Sequence, residues 1–136
     1  MTDRPRRAAP VVAVLAGYAV LLALLAAVVL NGQLHRTRTL GDVARQPTSV
    51  RYEDDSVHYA GVIETRSWVL GRHRTYELRI GRDPGLSYGY FVRLGFGGPE
   101  QRPVIKTASW DREGVRVTFA SGHEVFVPAR HYLGGR

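Results

Sequence analysis

The pattern of apolar and polar positions divides the chain into two regimes. From Ala8 to Leu30, 23 residues pass without a charge: twelve Val or Leu, eight Ala, and Pro10, Gly17 and Tyr18. A helix of that length is about 34 Å long, against a hydrocarbon core of about 30 Å. Val and Leu near the centre of a span each favour insertion by about 0.3 to 0.6 kcal/mol. The rest of the chain is too short and too strand-like to wrap such a helix in protein. Residues 8–30 are therefore predicted to be a transmembrane helix. Pro10 sits in its first turn, where a missing N–H costs nothing, and Asn31-Gly32 is expected to end it through a left-handed glycine cap. A cleaved secretory signal is the rival reading. Its apolar region would be shorter, and Val28-Val29-Leu30-Asn31 is a poor cleavage site, although Ala26 and Ala27 have the small side chains such a site needs. Arg6-Arg7 is followed by Ala8-Ala9-Pro10, which does not continue a twin-arginine signal.

Beyond the span the period changes. Residues 31–48 read as a polar stalk that Pro47 closes. From there, apolar residues recur at every second position. Val57, Tyr59, Gly61 and Ile63 alternate with His58, Ala60, Val62 and Glu64. Tyr76, Leu78 and Ile80 alternate with Thr75, Glu77 and Arg79. Tyr90, Val92, Leu94 and Phe96 share one face, and Val115, Val117 and Phe119 share another. Turn-forming residues separate the runs: Asp83-Pro84-Gly85, Gly97-Gly98-Pro99, Asp111-Arg112-Glu113-Gly114 and Ser121-Gly122. The last two gaps are short enough for hairpins, so residues 104–128 are predicted to form a three-stranded meander. No window after residue 48 has the pattern of an amphipathic helix. The expected fold is thus one N-terminal transmembrane helix plus a small all-β domain of five to seven antiparallel strands, in a meander, sandwich or small barrel. The divisions are a basic tail (1–7), the helix (8–30), the stalk (31–48) and the β domain (49–136). Tyr59, Trp68, Tyr76, Trp110 and Phe119 are the expected core aromatics.

Charge changes the picture little once it is located. The net charge is +7, but residues 41–136 carry 14 basic and 11 acidic side chains, only +3. The excess flanks the apolar run, at Arg4, Arg6 and Arg7 before it and Arg36 and Arg38 after it, where cations meet anionic headgroups. This is not the dense basic face of a nucleic-acid-binding domain, so the lipid bilayer and other membrane or envelope proteins are the expected partners. The positive-inside comparison nearly ties, with three arginines before the span and Arg36, Arg38 and Arg45 after it. A long following segment is exported largely regardless of charge. The expected orientation therefore has the N-terminus in the cytoplasm and the β domain outside the plasma membrane. Eighteen of the 19 basic residues are arginine, a bias that GC-rich codon usage also produces. There is no cysteine, which excludes disulfides, cysteine metal sites and acylation at cysteine. Ala19, Ala23 and Ala27 recur every fourth residue and would let two spans approach closely.

Candidate chemistry is sparse. Gly85-Leu86-Ser87-Tyr88-Gly89 matches the nucleophile-elbow letters, but it lies in a Pro/Gly turn between two strand-like runs and lacks the helix that motif needs. His58, His123, His131 and Glu124 are the residues that would have to converge for a metal site, and their spacing does not require it. Glu53-Asp54-Asp55 lacks the ligand spacing of a calcium loop. No catalytic, metal or cofactor-binding residue is assigned. The one candidate contact surface is cationic: Arg66, Arg72, His73, Arg74, Arg79 and Arg82 fall within 17 residues, with only Glu77 opposing them, and suit an anionic surface. Tyr88, Tyr90, Phe91 and Phe96 crowd one strand, so an aromatic left outside would mark a binding face.

The arginine-bearing tail, the Ala/Val/Leu span and the ending Ser121-Gly122-His123-Glu124-Val125-Phe126-Val127-Pro128-Ala129-Arg130 resemble small single-span membrane proteins of high-GC Gram-positive bacteria. The resemblance implies a location and a build and carries over no functional residue. The function expected from the whole reading is a non-catalytic, membrane-tethered β domain that binds or scaffolds envelope components. The alternatives are an accessory subunit of a membrane complex that assembles through its span, and a small enzyme.

Overall fold

The computed structural model describes residues 8–98 and 100–134, with the side chains of residues 8–10 and of Arg74 left aside. The basic tail with Arg4, Arg6 and Arg7, and Pro99 of one expected turn, lie outside the described residues. The chain divides into two compact units. One contains the apolar helix through His35 together with residues 67–72; the other contains residues 36–66 and 73–136.

In the first unit, α1 runs from Ala8 to Gln33, and the stretch Val11–Gln33 (23 residues) is long and apolar enough to cross a membrane. None of that stretch is buried by protein, and every Val and Leu on it is exposed. A helix apolar on all sides has no favourable place in water. The expected glycine cap does not form: the helix passes through Asn31 and Gly32, and the Leu34 N–H still donates to the Leu30 carbonyl at 2.8 Å. The Asn31 side chain is used differently, accepting the Leu70 N–H at 3.0 Å from the 67–72 turn.

The second unit is an antiparallel all-β domain of seven strands in two sheets, β1(His35–Arg45)-β2(Tyr59–Ser67)-β3(His73–Gly81)-β4(Tyr90–Leu94) and β5(Ile105–Trp110)-β6(Gly114–Phe119)-β7(Glu124–Pro128). The sheets do not close into a barrel. The 104–128 meander forms as expected from its two short turns. Asp111 Oδ1 accepts the N–H groups of Glu113 and Gly114 at 2.8 and 2.9 Å, which fixes the first of them. Among the described residues, the only helix after the strands is the single turn α2(Arg130–Leu133).

One core joins the sheets. Ala60, Val62, Tyr76, Leu78 and Ile80 from the first meet Val115, Val117, Phe119 and Val127 from the second, closed at one end by Tyr52, Trp110 and Tyr132. Of the expected core aromatics, Tyr76, Trp110 and Phe119 are buried. Two expectations fail. Tyr59 begins β2 on the face away from this core, opposite Gly81, and is only half-buried. Trp68 lies in the turn after β2 and is 47% exposed. β2 itself is buried on both faces, because the 83–87 turn folds over its outer side. There Leu86 (1% exposed) covers Gly61, where a Cβ would stand 2.5 Å from Leu86 Cδ1.

The expected stalk is also corrected: residues 35–45 form edge strand β1. Its period-two signal is masked because only Leu40 packs on the core, while Val43 faces the Gly61 side, and Gly41 between them takes φ +64°. An edge strand half open to water needs few apolar residues.

Candidate functional site

Six residues define the cationic surface expected from sequence, and the fold disperses four of them. Glu64, on the core face of β2, is fully buried and takes up two: Arg66 Nε lies 2.9 Å and His73 Nδ1 3.3 Å from its Oε1. His73 also lies against Tyr76 at a tilt, with ring centroids 4.2 Å apart. Arg79 points to the outer face, where it donates to the Leu86 carbonyl at 2.8 Å and pairs with Glu77 at 3.3 Å. Arg82 lies past the far end of β3 and reaches Asp54 at 3.1 Å and the Leu133 carbonyl at 3.3 Å. Strand geometry dictates the dispersal: from residue 73 to residue 82 the chain advances about 30 Å, and neighbours alternate faces. Arg72 remains exposed in the 67–72 turn, and the Arg74 side chain lies outside the described residues. Four of the six, Arg66, His73, Arg79 and Arg82, therefore fasten the domain to itself instead of forming one knob.

Sequence reading missed a buried polar network centred on His58. Gln46, at the end of β1, pairs with His58 as backbone to backbone, donating its N–H to the His58 carbonyl at 2.9 Å. Gln46 Oε1 then accepts the His58 N–H at 3.0 Å and lies 3.1 Å from His58 Nδ1, while Gln46 Nε2 donates to the Val50 carbonyl at 2.7 Å. An amide oxygen only accepts, so Nδ1 carries the proton. Nε2 faces Asp54 Oδ2 at 3.3 Å, and Asp54 is held in turn by Arg82. Tyr52 and Tyr132 flank the imidazole, with ring centroids 5.5 and 5.2 Å away. The Tyr132 hydroxyl donates to that of Tyr52 at 2.7 Å, and Tyr52 donates to the Asp111 carbonyl at 2.9 Å. Burial holds the His58 pKa below its usual value, opposed by the Asp54 charge, and raises both tyrosines. The only sequence signal was a histidine in register with Ala60 and Val62.

Two clefts border this network. One of about 350 Å³ is lined by Ile80, Arg82, Tyr88, Tyr90 and Tyr132 together with Gly81 and Gly89. Another of about 240 Å³ is lined by residues that include Gln46, Val50 and Tyr52. The first has the better binding chemistry: Tyr88 is 56% exposed at its mouth, and Arg82 supplies a cation beside three phenol rings. Phe91 is exposed on the outer face of β4, whereas Tyr90 and Phe96 pack against the core. The crowded aromatic run thus leaves Tyr88 and Phe91 outside.

The remaining sequence candidates stay apart. Ser87 belongs to the turn over Gly61, its N–H donating to Asp83 Oδ2 at 2.8 Å, and β4 rather than a helix follows it. His123 stacks on Phe96 at 4.1 Å, and His131 lies 5.0 Å from Tyr90. Glu124 pairs with Arg116. Among the described residues no group of three or more His, Asp or Glu is arranged to hold a metal ion. Comparison with protein-family models, with curated proteins and with solved structures finds no match for this chain.

Proposed function

We propose that the chain is a single-pass membrane protein of the plasma membrane, with its N-terminus in the cytoplasm and its β domain outside. We read that domain as a non-catalytic module that binds or scaffolds envelope components. The observation that carries this reading is the Val11–Gln33 stretch of α1: 23 residues long enough to cross a bilayer, with every Val and Leu side chain exposed. Lipid is the environment that satisfies such a helix, since its backbone is internally bonded and all its faces are apolar. The arginines before the span support the orientation. On the domain, the Tyr88–Tyr90–Arg82 cleft supplies amphipathic rings and a cation of the kind enriched where proteins meet partners.

Affinity purification of the full chain in mild detergent, followed by mass spectrometry, tests the reading. Envelope proteins or polymers recovered with wild type and lost with Tyr88→Ala would support it. Recovery that survives Tyr88→Ala but is lost when α1 is replaced by a polyleucine span would instead identify an accessory subunit assembling through its helix.

A further inference from the structure

The 67–72 turn places three consecutive apolar side chains at the open tip between β2 and β3: Trp68, Val69 and Leu70 are 47%, 45% and 66% exposed. The turn itself is tightly built. The Ser67 N–H donates to the Arg72 carbonyl at 2.8 Å, the Arg72 N–H to Ser67 Oγ at 2.9 Å, and the Gly71 N–H to the Ser67 carbonyl at 3.0 Å. Gly71 takes φ +61°, a conformation that favours glycine. A well-bonded turn that displays Trp-Val-Leu outward is a surface shaped for an apolar medium.

Two further hydrogen bonds say which medium. The Trp68 N–H donates to the Leu34 carbonyl and the Leu70 N–H to Asn31 Oδ1, each at 3.0 Å. Asn31 and Leu34 mark the last turn of α1, directly after its final apolar run, and are separated by about 4.5 Å along the helix axis. The tip is thereby pinned to the level at which the span leaves the hydrocarbon. We propose that Trp68, Val69 and Leu70 insert into the headgroup–acyl boundary of the bilayer beside the end of α1, as a second membrane contact. The inference rests on the reading of α1 as a span. The side chains suit that depth: an indole is favoured at the interface, Val and Leu just beneath it, and the exposed Arg72 beside lipid phosphates. The same contact accounts for the use of Asn31, whose side chain bonds the turn instead of capping the helix.

Tryptophan quenching in the full chain, reconstituted into phosphatidylcholine–phosphatidylglycerol vesicles, tests the contact. Trp110 is buried in the domain core, so the difference between wild type and Trp68→Phe isolates Trp68. The expected result is blue-shifted Trp68 emission, quenched by lipids brominated near the headgroup and shielded from acrylamide in the water, with most of that quenching lost in Leu70→Ser. A parallel variant, Trp68→Phe with Tyr18→Trp, reports on the span through lipids brominated near the bilayer centre. If the Tyr18→Trp probe is quenched and Trp68 is not, the interfacial contact is overturned while the span stands. If neither is quenched, the span reading fails and the contact falls with it.

Discussion

His58 Nε2 lies 3.3 Å from Asp54 Oδ2 with no hydrogen bond between them, because the imidazole proton is committed to Gln46 on the other side of the ring; Asp54 Oδ2 pairs with Arg82 at 3.1 Å instead. A neutral His58 therefore turns a lone pair toward a carboxylate. A second proton would join the two, at the cost of placing an imidazolium between Tyr52 and Tyr132 with Arg82 nearby. Desolvation outweighs Asp54, and the His58 pKa is lowered in the folded state. The unfolded chain thus binds more protons than the folded one as pH falls through the ordinary histidine value of about 6.5, so stability rises with pH across that window. The thermal midpoint is expected to fall on acidification from neutral pH toward the lowered folded value, and to level off beneath it. His58→Gln should flatten this dependence. A midpoint that rises on acidification would mean that the Asp54 pairing dominates instead.

The turn over β2 acts as a small second core. Leu86→Ala removes the side chain that covers Gly61 and is expected to destabilise the domain by about 2 to 5 kcal/mol. Gly61→Ala places its Cβ 2.5 Å from Leu86 Cδ1 and should also destabilise. The two changes compete for one space, so the double variant is expected to be more stable than the sum of the single effects predicts. Denaturant midpoints of the four proteins measure this coupling, and strict additivity would show that Leu86 does not sit over Gly61.

The two tryptophans show what alternation along a sequence reveals and what it hides. Trp110 ends β5 in phase with the core and is 8% exposed, so Trp110→Ala is expected to cost about 3 to 5 kcal/mol. Its indole Nε1 is buried without a hydrogen-bond partner, so Trp110→Phe removes an unsatisfied donor and should cost less than the alanine change. Trp68→Ala, in the exposed turn, should change domain stability by no more than about 0.5 kcal/mol. Equal losses at the two positions would contradict their burial. Period-two patterning located β3, β4 and β6 because each carries one apolar face, and the two short turns placed β5 and β7 beside β6. It misplaced Tyr59 because β2 is buried on both faces, and a second cover built by Leu86 leaves no periodic trace. The His58 network was illegible for a related reason: Gln46, Asp54, Arg82 and Tyr132 meet only after four separate segments fold.

β1 is the clearest element that polarity concealed, and it moves the domain boundary. A fragment beginning at residue 46 lacks the strand that pairs with β2 and exposes the β2 backbone edge. A fragment beginning at residue 36 retains nearly all of β1. The longer fragment is expected to be monomeric by size-exclusion chromatography and more resistant to denaturant; the shorter one should self-associate through its open edge. Identical behaviour would return residues 35–45 to the role of a tether.

On the proposed reading of α1 as a span, the side of the membrane on which the domain lies decides what it can reach. Arg4, Arg6 and Arg7 precede the span, and Arg36, Arg38 and Arg45 follow it, so charge alone nearly balances. The following three belong to β1, part of a long segment that is exported with little regard to charge, whereas basic residues close to the start of a span hold it in the cytoplasm. The domain is therefore expected outside. The chain has no cysteine and Ser121 is exposed in the β6–β7 turn, so Ser121→Cys provides a single reporter. A membrane-impermeant maleimide should label it on intact cells whose outer surface is accessible. Replacing Arg4, Arg6 and Arg7 with neutral residues should give mixed labelling, and lysines added before the span should make it uniform. Labelling of Ser121→Cys only after lysis would invert the topology and turn the search for a ligand of the Tyr88 cleft to the cytoplasm.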